Sequence, residues 1–172
     1  MGGERFVNEA TPERPDSPFA DRRYYSVEAL SASGVARAIP PSEAHFVLFL
    51  AWDASRETDD TIRTLARELF AKGLAYLVAW GPDCSRVHDL FDLVEIEESW
   101  NLTPESVVMT TWHDDEPLAS ALWFFLFNTE PDEAYIPTCH AGIAVSIASS
   151  EWGQAIRGYL RNPEKLNHDA GV

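Results

Sequence analysis

Few cysteines, almost no basic residues over one long stretch, and no long apolar run set the first limits on this 172-residue chain. Two cysteines cannot staple a chain of this size, so a fold here must rest on a packed core. No apolar run exceeds seven residues, the length of Ala121 to Phe127, against the ~20 that a membrane-crossing helix needs. No basic n-region leads into an apolar h-region, and Met1-Gly2-Gly3-Glu4-Arg5-Phe6 lacks the Ser/Thr of a myristoylation signal. The expectation is a cytoplasmic protein with reduced thiols and no membrane contact. Phosphate cradles are missing as well: neither G-x-x-x-x-G-K-[ST] nor G-x-G-x-x-G occurs, and there is no G-x-S-x-G elbow. No cofactor is expected.

Base is the scarcest commodity. Residues 81–140 hold thirteen acids and one base, Arg86, a net −12 within a chain total of −15. Such a field repels phosphate backbones, which excludes a nucleic-acid partner. It disfavours anionic membranes for the same reason. A basic protein or peptide, or a small-molecule ligand, is the expected partner, although acidity of this kind also serves solubility alone.

What is present reads as an α/β domain. Residues 1–22, with Pro12, Pro15 and Pro18 among many charges, read as a flexible N-terminal arm. Tyr24, Tyr25 and Val27 suggest an edge strand or a cover over the core. From His45 a strand–helix alternation begins: strands at 45–50, 74–79, 107–111 and 142–148 are runs too apolar to face water. Between them, Ile62, Leu65, Ala66, Leu69 and Phe70 follow helical spacing, as do Val87, Leu90, Phe91 and Val94. Leu118 to Asn128 is apolar nearly all round, which suits burial or a homodimer contact through 118–128. Trp152, Ala155, Ile156, Tyr159 and Leu160 form a last helical face, closed by Asn162-Pro163, with 166–172 as a frayed tail. The expected architecture is a single three-layer domain over 23–165. Its mostly parallel four-stranded sheet takes a flavodoxin-like or Rossmann-like order, 2-1-3-4.

In such sheets ligands bind beyond the carboxyl ends of the strands. The residues there are Trp52-Asp53, Trp80-Gly81-Pro82-Asp83-Cys84, Trp112-His113-Asp114-Asp115 and Ser149-Ser150-Glu151-Trp152. Tryptophan supplies a flat apolar surface with one N–H, suited to a binding site or to closing the core. Trp52, Trp80, Asp83, Trp112, Asp114 and Asp115 are the candidate binding residues. Cys84, at a helix start where thiolate is favoured, is the candidate nucleophile. His113 would be its base and Asp53, Asp114 or Asp115 would orient the ring. A thiol buried without function is the alternative. A three-ligand metal site from Cys84, His88 and His113 is a further arrangement, but no metal site is expected. Cys139-His140 precedes the fourth strand, too far away to complete one. The cluster Asp114-Asp115-Glu116 is expected to cap the helix that follows.

The stretches Ala79-Trp80-Gly81-Pro82-Asp83-Cys84-Ser85 and Met109-Thr110-Thr111-Trp112-His113-Asp114-Asp115-Glu116-Pro117-Leu118, followed by Trp123-Phe124, resemble a small bacterial family of hypothetical proteins described only as a domain of unknown function. The resemblance covers roughly residues 45–128. It implies one recurring domain built around these two edges and brings no activity, ligand or catalytic residue with it. Two functions follow from the residues themselves. One is a non-catalytic binding or accessory protein that meets its partner at the tryptophan-lined edge. The other is a small hydrolase or acyltransferase using Cys84 and His113.

Overall fold

A computed structural model describes residues 6–7, 21–40, 44–99 and 106–172. Its sheet runs β1-β2-β6-β3-β4-β5, from β1 (Phe6–Val7) through β2 (Arg23–Ala29), β6 (Cys139–Ile147), β3 (His45–Ala51) and β4 (Leu74–Trp80) to β5 (Met109–His113). All neighbours pair in parallel except β1 with β2.

The central strand shows why a continuous apolar run was needed. Phe46, Leu48 and Leu50 point into one hydrophobic cluster, Val47, Phe49 and Ala51 into the other. A pleated strand alternates its side chains, so burial on both faces leaves no polar position. The first cluster is covered by α1 (Ala32–Ala38), α2 (Asp59–Ala71) and α3 (Cys84–Ser99). The second is covered by α4 (Leu118–Phe127), α5 (Ser150–Arg161) and α6 (Pro163–Ala170). The three layers stand as expected, with a parallel five-strand set at their centre.

The strand order differs. Numbering the four expected strands from His45 onward, the structure orders them 4-1-2-3, not 2-1-3-4. Right-handed crossovers through α1, α2 and α3 step the chain the same way across the sheet, which keeps these helices on one face. The reversal comes only after β5. There α4, apolar nearly all round, carries the chain back over the other face to β6. The third expected strand is also shifted, from 107–111 to Met109–His113. It is an edge strand whose register is fixed by β4, with Tyr76 opposite Met109 and Trp80 opposite His113.

Local signals account for the helix ends. Thr58 Oγ1 accepts from Thr61 N–H at 3.1 Å to start α2, and Asp59 and Asp60 complement its dipole. Ser149 Oγ accepts from Trp152 N–H to start α5. Asn162-Pro163 ends α5 but also starts α6: Asn162 Oδ1 accepts from Lys165 N–H at 3.0 Å and proline takes the first turn. The expected frayed tail at 166–172 is therefore helical to Ala170, with Leu166 buried against the α4 cluster. Of the expected arm over 1–22, Phe6–Val7 instead pairs with Val27 and Ser26. Arg22 is buried, donating to Thr129 O and Thr129 Oγ1. The remainder of the arm lies outside the described residues.

Candidate functional site

Three places at the carboxyl edge have neighbouring strands that lead to helices on opposite faces: β4 beside β5, β3 beside β6, and β2 beside β6. Ligand crevices form at such reversals. The edge is tightly turned. Gly81 has φ +112, and a Cβ there would stand 2.6 Å from Trp52 O, so only glycine fits. Asp83, at φ 65, takes the left-handed conformation next in the same turn.

All four tryptophans expected at this edge lie there, but they do different things. Trp52 is 3% exposed and part of the first cluster. Trp80 donates its Nε1–H to Glu116 O at 2.8 Å and meets Trp152 edge-on at 5.1 Å, filling the second face. Trp112 is 48% exposed, its ring 4.5 Å from that of His88 on α3. Three of the rings therefore close the core, and only Trp112 offers much of its surface.

Cys84 and His113 do not form a side-chain dyad. Strand alternation puts His113 and Trp112 on opposite faces of β5. The His113 ring packs 4.7 Å from Phe124 of α4, and its Nδ1 lies 3.0 Å from Glu116 Oε2. Its Nε2 is buried with no hydrogen-bond partner. Cys84 is buried in the cluster on the α3 side. Of His113, the backbone N–H and not the ring acts on the thiol, lowering its pKa. Burial pushes the thiol pKa up, outweighing that N–H, and Asp114 adds to the rise.

The orienting carboxylates are elsewhere too. Asp53 is exposed and accepts from Ser55 N–H and Ser55 Oγ–H, which hold its pKa down. Asp114 Oδ1 accepts from Asp115 N–H, and Asp115 is exposed. Neither caps α4, whose cap position is taken by Pro117 without a side-chain bond. Glu116 is the residue that holds the His113 ring, a partner three positions on that sequence reading passed over. His88, the other proposed metal ligand, faces Trp112, Asp89 and Asp92. Among the described residues no three His, Cys, Asp or Glu side chains gather as a metal site.

Arg86 was noticed only for its isolation. It donates to Asp83 Oδ2 and Asp59 Oδ1, each at 2.7 Å, to Ala54 O at 2.7 Å and to Glu57 O at 3.1 Å. It locks the β3–α2 loop to the start of α3, and its charge is spent within the edge. At the opposite edge, Arg22, Glu130, Cys139 and His140 line a cavity of about 230 Å³. Sequence reasoning placed Cys139-His140 there and set them aside.

Fold and edge together define a three-layer α/β domain with an acidic carboxyl edge and one half-exposed tryptophan. A family model described as "Domain of unknown function (DUF7684)" matches residues 27–163, and the chain belongs to that family. The match extends the region of resemblance from 45–128 to take in the last three residues of β2 and all of α5. No curated protein matches the chain.

Proposed function

We propose that the protein is a non-catalytic, cytoplasmic binding or accessory protein that recognises a basic peptide or protein segment at its carboxyl edge. The observation that carries this reading is Trp112, half exposed and bordered by carboxylates of α3 and of the loop after β5. A half-buried tryptophan is already largely positioned, so covering it costs little ordering. The nearby carboxylates attract a cationic segment, and Arg86 does not oppose them because four acceptors hold it. A peptide suits this surface because Trp112 and the carboxylates of α3 and of the loop after β5 are spread along an exposed edge. The hydrolase reading is the weaker one, because the Cys84 thiol is buried with a raised pKa and the His113 ring is bonded to Glu116.

The test is fluorescence anisotropy with a labelled ten-residue peptide of alternating Lys and Val. Binding should weaken at least tenfold between 0.05 and 0.5 M salt, since exposed charges are screened over about 8 Å at physiological ionic strength. Trp112→Ala should cost at least tenfold, with the circular dichroism spectrum unchanged. No binding at low salt, or equal binding by Trp112→Ala, would contradict the reading.

A further inference from the structure

Among the described residues β5 ends the sheet, and its backbone shows which groups are left over. The Trp80 C=O accepts from Trp52 N–H at 3.0 Å on the β3 side, so the backbone of Ala79 faces β5, and with Ala79 opposite Trp112 the His113 amide points into the sheet toward β4. Backbone groups alternate along a strand. The amides of Met109 and Thr111 therefore also face β4, and those of Val108, Thr110 and Trp112 face outward. Val108 N–H, at the start of this row, is taken by Glu95 Oε1 at 2.7 Å. Among the described residues nothing pairs with the backbone of Thr110 or Trp112 on the outer side.

The surroundings of this open edge select an occupant. The side chain of Trp112 lies on the α3 face and that of Met109, 43% exposed, on the α4 face, so apolar contact is available on both sides of an added strand. Asp89, Asp92 and Glu95 stand along α3 beside it, with Asp114 just beyond. Unpaired edges are templates for further strands. A second copy of this chain would bring the same carboxylates against these, whereas a lysine- or arginine-bearing segment would neutralise them.

Resting on the recognition reading above, we infer that the outer edge of β5 accepts an extended basic segment as an added strand. The backbone of Thr110 and Trp112 pairs with the segment, and Asp89, Asp92 and Glu95 face its cationic side chains. The cationic side chains lay their methylene stems over Trp112 on that same face, and the apolar alternate positions, on the α4 face, cover Met109.

Two measurements on the whole protein test the inference. The first compares the Lys–Val peptide with a version N-methylated at every residue, which keeps the charge and removes the donors. Affinity should fall at least thirtyfold. The second follows amide hydrogen exchange by NMR. Thr110 and Trp112 should exchange fast in the free protein and at least a hundredfold more slowly in the saturated complex, while Thr111 and His113 stay slow in both. Equal affinity for the methylated peptide, or unprotected Thr110 and Trp112 in the complex, overturns strand addition; Trp112-dependent binding would still leave the recognition reading standing. Slow exchange at Thr110 and Trp112 without peptide, with a dimer in sedimentation, overturns it in favour of pairing between copies. Failure of the unmethylated peptide to bind removes the recognition reading itself.

Discussion

Cys84 and the His113 ring lie on opposite faces of the sheet: the thiol is buried in the cluster under α3, while the ring packs 4.7 Å from Phe124 of α4 with its Nδ1 3.0 Å from Glu116 Oε2. A base that cannot touch the thiol cannot activate it, and burial already raises the thiol's pKa above the ordinary ~8.5. Iodoacetamide should therefore label Cys84 slowly at pH 7 in the native protein and rapidly once it is unfolded. The native alkylation midpoint should lie above that ordinary value. Stability should fall as pH rises beyond ~8.5, because the unfolded thiol ionises first. A midpoint below about 7 would restore the nucleophile.

Arg86 ties the β3–α2 loop to α3 through four bonds in a planar fork. Arg86→Ala should lower unfolding free energy by about 1–3 kcal/mol, since hydrogen bonds to charged groups are the stronger kind. Arg86→Lys should recover only part of this, because an ammonium cannot reach the same acceptors together. Urea unfolding of the three proteins at pH 7 gives the ranking, and full recovery by lysine would show that charge alone matters.

Glu95 is half buried beside Val108 and Asp92, and burial raises its pKa despite the Val108 N–H. A carboxyl that holds its proton more tightly in the folded state stabilises the fold at low pH. That contribution is lost as pH rises from the unfolded value of ~4.3 through the raised folded one. Glu95→Gln should remove this component and leave stability at pH 7 within about 1 kcal/mol of wild type or slightly above it. Denaturation midpoints at pH 4 and pH 7 check the sign. An unchanged pH dependence would mean that Glu95 does not supply it.

The strands 45–50 and 74–79 were legible because burial on both faces forces an unbroken apolar run. The helical faces Ile62-Leu65-Ala66-Leu69 and Val87-Leu90-Phe91-Val94 were legible because side chains at helical spacing share one face, and all eight are buried in the first cluster. Strand order was not, because it depends on which helix crosses which face, and α4 is apolar on too many sides to declare one. The edge itself was readable from position after each strand. The division of labour within it was not: whether Trp112 or His113 faces α3 follows from the pairing of Trp80 with His113, a register that no local pattern carries. Asn162-Pro163 looked like an ending because the same two residues serve equally to begin a helix.

Where a basic peptide lands on the protein is the most direct measurement. In an NMR titration with the Lys–Val peptide, the largest shift changes should fall on the Trp112 indole N–H and on the amides of Thr110, Trp112 and Asp114. They should fade as salt is raised to 0.5 M. Changes gathered instead at Cys139 and His140, around the cavity of the opposite edge, would contradict recognition at the carboxyl edge.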